Sequence, residues 1–113
     1  MPYKKPVIEK VIFTIGEVAE MIGEKTSLIR YWEKEFAALK PQKNKKGNRL
    51  FTKEDIETVK LIHYLVKERG LTLKGAKQKL RENRDETIQN YEIVNRLKEI
   101  REHLIDMRDA LQE

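Results

Sequence analysis

The stretch F-T-I-G-E-V-A-E-M-I-G-E-K-T-S-L-I-R-Y-W-E, from Phe13 to Glu33, decides how this chain folds. Thr14 and Glu17 stand in capping-box register: the hydroxyl accepts from an early helix amide and the carboxylate reaches back to the cap. Ile15, Val18, Ala19 and Ile22 then recur at helical spacing, and Gly23 ends the run. Only Glu24–Thr26 separate it from a second helical series, Leu28, Ile29, Trp32 and Phe36. Two short helices joined by a tight glycine-containing turn are the sequence form of a helix-turn-helix. Trp32 and Phe36 share the apolar face of Ile29 and read as core, whereas Tyr31 falls off that face.

Downstream, Pro41 stops any helix. Lys-Asn-Lys-Lys-Gly at 43–47 is a turn signal, with Asn44 and Gly47 both tolerant of positive φ. Short extended runs on either side make this a small hairpin, the wing of a winged fold. Thr52 caps the next helix, whose expected buried stripe is Ile56, Val59, Ile62, Leu65 and Val66, closed by Gly70. Thr72 caps a further short helix carrying Leu73, Ala76 and Leu80. Upstream, residues 1–11 hold two prolines and three lysines with little periodicity, and read as an N-terminal arm.

Residues 83–113 contain neither proline nor glycine and favour helix. Ile93, Leu97, Ile100, Leu104, Met107 and Leu111 follow one another at steps of 4-3-4-3-4, the a/d seam of a coiled coil. Such a helix outruns what so small a domain covers. The seam therefore calls for a second copy of the chain, or for packing back on the same domain, as Ile88, Tyr91 and Val94 near its start could do. The three regions expected are thus the arm (1–11), a winged helix-turn-helix domain (12–80) and a dimerisation helix (83–113), a mainly α chain with one small β-hairpin.

The chain has 113 residues, 39% hydrophobic and 38% charged, with a formal net charge of +5. Its longest runs without a formal charge, Val11–Gly16 and Leu61–Val66, are far too short to span a bilayer, and no signal peptide is expected. There is no cysteine, hence no disulfide, thiol catalysis or zinc-thiolate site. The charge is zoned. Residues 25–51 hold eight basic groups against two acidic, whereas residues 81–113 hold six against nine. A basic patch of this kind is the footprint of a polyanion partner, or else a solvated loop. No catalytic constellation emerges: His63 and His103 lie forty residues apart on expected helices and read as structural or solvent-facing, and Gly70–Lys77 fails as a phosphate loop because Ala76 and Lys77 stand where Lys and Ser/Thr are required. No enzyme, cofactor or metal is expected.

The ordered set of Phe13–Gly23, Leu28–Glu33, Gly47–Phe51, Asp55-Ile56 and Gly70–Leu73 resembles the mercury-resistance regulator (MerR) family. That family combines a T-I-G-E-V-A first helix, an L-R-Y-Y-E recognition helix, a G-Y-R-L-Y wing and a later G-hydrophobic-S/T-L helix start. The match runs from about residue 12 to residue 80. The resemblance implies a bacterial, cytoplasmic, nucleoid-associated transcription regulator: a winged helix-turn-helix homodimer on palindromic double-stranded DNA. Members often sit in an overlong promoter spacer and distort it for RNA polymerase, a further implied partner.

Carried over residue by residue, Thr26 and Ser27 open the recognition helix, Arg30 and Tyr31 match the Arg-Tyr pair, and Arg49 matches the wing arginine. Arg30 also lies within reach of Glu33 and Glu35 on its own helix. Thr14 and Asn48 are counted with the DNA-facing group, Asn48 replacing an aromatic found in many members. Lys43, Lys45 and Lys46 join it on charge alone, as phosphate contacts. Position 25 is lysine where many members carry a serine cap, so the recognition helix is expected to start at Thr26. The chain reads either as a minimal form without an effector domain or as a fragment of a longer regulator. Two rivals remain at this stage, an architectural (excisionase-like) DNA-binding factor and a coiled-coil adaptor protein.

Overall fold

The computed structural model describes residues 11–112; the arm expected over 1–11 lies, apart from Val11, outside the described residues. The chain divides between His63 and Tyr64 into two compact units.

In the first unit, α1 spans Ile15–Ile22 and opens with the expected capping box, with Thr14 and Glu17 satisfying each other's backbone amides. It closes at Gly23, whose φ of 72° only glycine adopts without cost; the Glu24 amide donates to the Ala19 carbonyl at 3.0 Å, the long bond of a Schellman close. The second helix, α2, spans Thr26–Glu35, with Lys25 at its N-cap and no side-chain cap bond there. Strands β1 (Gln42–Lys43) and β2 (Arg49–Leu50) pair antiparallel, Gln42 opposite Leu50 and Lys43 opposite Arg49. Phe13 and Phe51 exchange two backbone bonds of 2.8 Å, which fastens the base of this wing to the segment entering α1. The third helix, α3, spans Lys53–His63, and α1 packs against both α2 and α3.

Val18, Ile29, Trp32, Phe36, Leu39, Phe51, Val59 and Ile62 are at most 2% exposed and form the core of this unit. Trp32 and Phe36 are thus core, as their spacing implied. The His63 ring meets Trp32 edge-on at 6.2 Å, and its Nε2 lies 3.3 Å from Glu24 Oε1, which joins the end of α3 to the turn between α1 and α2.

The second unit opens with a π-helical turn over Tyr64–Glu68, in which the Arg69 amide donates five residues back to the Tyr64 carbonyl at 2.9 Å. The expected stripe continues through Leu65 and departs from expectation only at Val66. Tyr64 and Leu65 are buried while Val66 is only half-buried, because the wider turn rotates each later side chain relative to an α-helix. Thr72 caps α4 (Leu73–Glu82) by accepting from the Gly75 amide, and α4 packs against the π-helical turn and α5.

The last helix, α5, runs 28 residues from Arg84 to Leu111, about 42 Å at 1.5 Å per residue. Its early turns are anchored within the unit: Thr87 is buried and donates to the Asn83 carbonyl at 2.7 Å. The Tyr91 ring lies 5.3 Å from that of Tyr64, and Lys98 Nζ donates to both carboxylate oxygens of Glu68 at 2.8 Å. Among the described residues no helix is long and apolar enough to cross a membrane.

Candidate nucleic-acid interface

The candidate interface is built on α2 and the wing. From α2, Ser27, Arg30 and Tyr31 stand exposed and Thr26 half-buried at the first turn. These positions lie opposite the face that buries Ile29 and Trp32, so core packing holds the helix while leaving its polar side to solvent. Tyr31 is 45% exposed, a large aromatic group left outside the core.

The wing is shaped by its own sequence. Asn44 Oδ1 accepts from the amides of Lys46 (3.0 Å) and Asn48 (2.9 Å), and the Asn44 amide donates to the Asn48 carbonyl at 2.9 Å. Gly47 turns the tip with φ of 82°, a conformation that costs a side-chain-bearing residue about 1–2 kcal/mol. Asn44, expected to tolerate the same conformation, does not adopt positive φ; it works through its side chain instead. Lys43, Lys45, Lys46 and Asn48 all stand exposed around this turn.

Between the start of α1, α2 and the wing lies a cleft of about 370 Å³ whose lining includes Thr14, Arg30, Asn44, Asn48 and Arg49. Four residues singled out from the sequence, Thr14, Arg30, Asn48 and Arg49, thus come together although they span 36 positions of the chain. Arg30, within reach of Glu33 along α2, does not take it. Glu33 instead takes Arg49 of β2, whose Nε donates to Glu33 Oε2. Sequence reasoning missed this pair, and also the Glu24–His63 contact. Each joins elements far apart in the chain, and neither leaves a periodic signal.

The seam residues Ile93, Leu97, Ile100, Leu104, Met107 and Leu111 belong to the second unit, and each is between 47% and 85% exposed. They line up on α5 as their spacing required and stand largely exposed to solvent.

A helix-turn-helix followed by a two-stranded wing and three further α-helices defines a winged helix-turn-helix protein. A family model for MerR HTH family regulatory proteins matches residues 13–83, and the chain belongs to that family. Among its relatives is the regulator protein TubY of a Clostridium botulinum C phage, 30% identical over 87 residues, which is 77% of this chain and 36% of TubY. The HTH-type transcriptional regulator MlrA of Escherichia coli is 37% identical over 51 residues, 45% of this chain and 21% of MlrA. The chain thus matches about a third of one relative and a fifth of the other. Both relatives are regulators rather than enzymes.

Among solved structures, the fold resembles HiNmlR, a MerR family regulator lacking the sensor domain, bound to promoter DNA. The TM-score is 0.57 at 23% identity, covering 89% of this chain and 79% of that one. A MerR family transcriptional regulator from Bacillus cereus gives a TM-score of 0.56 at 21% identity, covering 91% and 84%.

Proposed function

We propose that the chain is a sequence-specific, DNA-binding transcription regulator that acts as a homodimer on an inverted-repeat operator and distorts it. The observation that carries this reading is the joint exposure, on one unit, of the polar face of α2 and a lysine-rich wing beside it. Family membership supports it, as does the likeness to a structure that holds promoter DNA.

The α2 face enters the major groove, where Thr26 and Ser27 meet base edges and Arg30 and Tyr31 meet the backbone and adjacent bases. Lys43, Lys45, Lys46, Asn48, Arg49 and Thr14 engage flanking phosphates, which fix register without reading sequence. Region 12–80 does this work, and 83–113 dimerises. In the dimer the six exposed seam residues of α5 cover one another, and pairing two copies about a two-fold axis matches the symmetry of the operator. Bending the site costs several kcal/mol, offset by the added phosphate and groove contacts. An operator distorted in this way sets the promoter for RNA polymerase. The protein acts in the cytoplasm, at the nucleoid.

The test is selection of bound duplexes from a random DNA library, followed by titration of the enriched sequence at two salt concentrations. The expected result is an inverted repeat whose affinity falls steeply with salt. Binding without enrichment would point to an architectural factor, and no binding to any duplex would overturn the proposal.

A further inference from the structure

We infer that Glu33 is a positioning residue: its carboxylate holds the wing to the recognition helix through Arg49 and so sets how the wing's basic groups meet DNA. This inference deepens the DNA-binding reading above and depends on it for its functional consequence. Its structural half stands by itself.

Glu33 lies on α2 and Arg49 on β2, sixteen residues apart, and Nε of Arg49 donates to Oε2 of Glu33. Their side chains are only 18% and 22% exposed, so the pair is screened less than one at the surface. The wing needs such a tether. Each of its strands has two residues, and a hairpin that short is not stable by itself in water. Its base is fastened by the Phe13–Phe51 bridge and its tip is shaped internally by Asn44. The Glu33–Arg49 pair adds a polar link from the hairpin directly to α2, beside the burial of Leu39 and Phe51 in the shared core.

The geometry also decides what Arg49 offers to a ligand. A guanidinium carries five N–H donors. The one on Nε goes to Glu33, while the terminal nitrogens have no partner among the described residues. Arg49 lines the same cleft as Arg30 and Asn48. Held at Nε, the guanidinium presents its outer edge to a phosphate in one orientation instead of sampling many, which lowers the entropy lost on binding.

The expected sign is opposite to that of simple charge. A carboxylate near a polyanion repels it, so deleting one should tighten DNA binding. Deleting Glu33 should weaken it. With the selected operator duplex, Glu33→Ala is expected to lower affinity by about tenfold, and Arg49→Ala by a similar factor. The double variant should bind no more weakly than Arg49→Ala alone. The slope of log affinity against log salt should fall by about one in each, the signature of one lost phosphate contact. Glu33→Gln keeps an oxygen that accepts from Nε and should recover much of the affinity, which also guards against a Glu33→Ala variant that fails to fold.

In the DNA-free protein, amide exchange at Asn44 and along the hairpin should accelerate in both alanine variants. Unchanged exchange in Glu33→Ala would overturn the tether, even if the wild type bound no duplex and the DNA-binding reading itself had failed. Faster exchange with affinity and salt slope at or above wild type would overturn the positioning role while leaving DNA binding intact.

Discussion

Thr14 has two claims on one hydroxyl. Its Oγ1 accepts from the Glu17 amide and donates to Glu17 Oε1, both at 3.2 Å, and the same residue lines the cleft beside Arg30. The cap is thereby satisfied within the protein before any ligand arrives. Thr14→Ala is expected to cost about 1 kcal/mol, which for a domain of this size lowers the melting temperature by roughly 4–8 °C. Thermal unfolding followed by circular dichroism measures this; an unchanged midpoint would show that the cap contributes nothing. The cap was legible in the sequence because both partners sit within one helical turn. Arg49 was not legible in the same way. The resemblance marked it as the wing arginine without a protein partner, and Arg30, three residues from Glu33, is the nearer claimant in sequence. Tertiary placement of β2 gave Glu33 to Arg49 instead.

Among the elements, the helices announced themselves through apolar spacing and caps, and the wing through Pro41 and the Lys43–Gly47 turn. The π-helical turn at Tyr64–Glu68 was hidden for a physical reason. Leu61, Ile62, Tyr64 and Leu65 are all buried, and a run this uniformly apolar fits an α-helical or a π-helical path equally well. Such a run carries no period to choose between them. The helix α5 was legible in extent and in seam. Its anchors, Tyr91 on Tyr64 and Lys98 on Glu68, were not, since each pairs residues about thirty positions apart.

The seam also supports a prediction of its own. A leucine buried in a dimer contributes about 1.5–3 kcal/mol per copy, and a carboxylate in its place costs more again. Leu104→Asp should therefore raise the dimer dissociation constant by roughly 100-fold or more, read by sedimentation equilibrium, with helix content retained. A variant that stays dimeric at the wild-type concentration would place the dimer interface elsewhere.

At the scale of the whole molecule, charge is sorted along the sequence. The net positive charge of residues 25–51, at +6, exceeds the +5 of the entire chain, and residues 81–113 carry −3. An acidic final segment repels a polyanion and a basic winged unit attracts one, so under the proposed function the field favours the winged unit as the surface for DNA. Three loci follow for that surface: the first turns of α2, the Lys43–Arg49 wing and the start of α1. Mapping backbone amide shifts by NMR during titration with the selected duplex tests this most directly. The amides of Thr26, Ser27, Arg30 and Tyr31 and those from Lys43 to Arg49 should move together and saturate at one duplex per dimer, while those of Leu97–Leu111 stay in place. Shifts confined to α4 or α5, with α2 and the wing unmoved, would contradict the assignment of the DNA-binding surface.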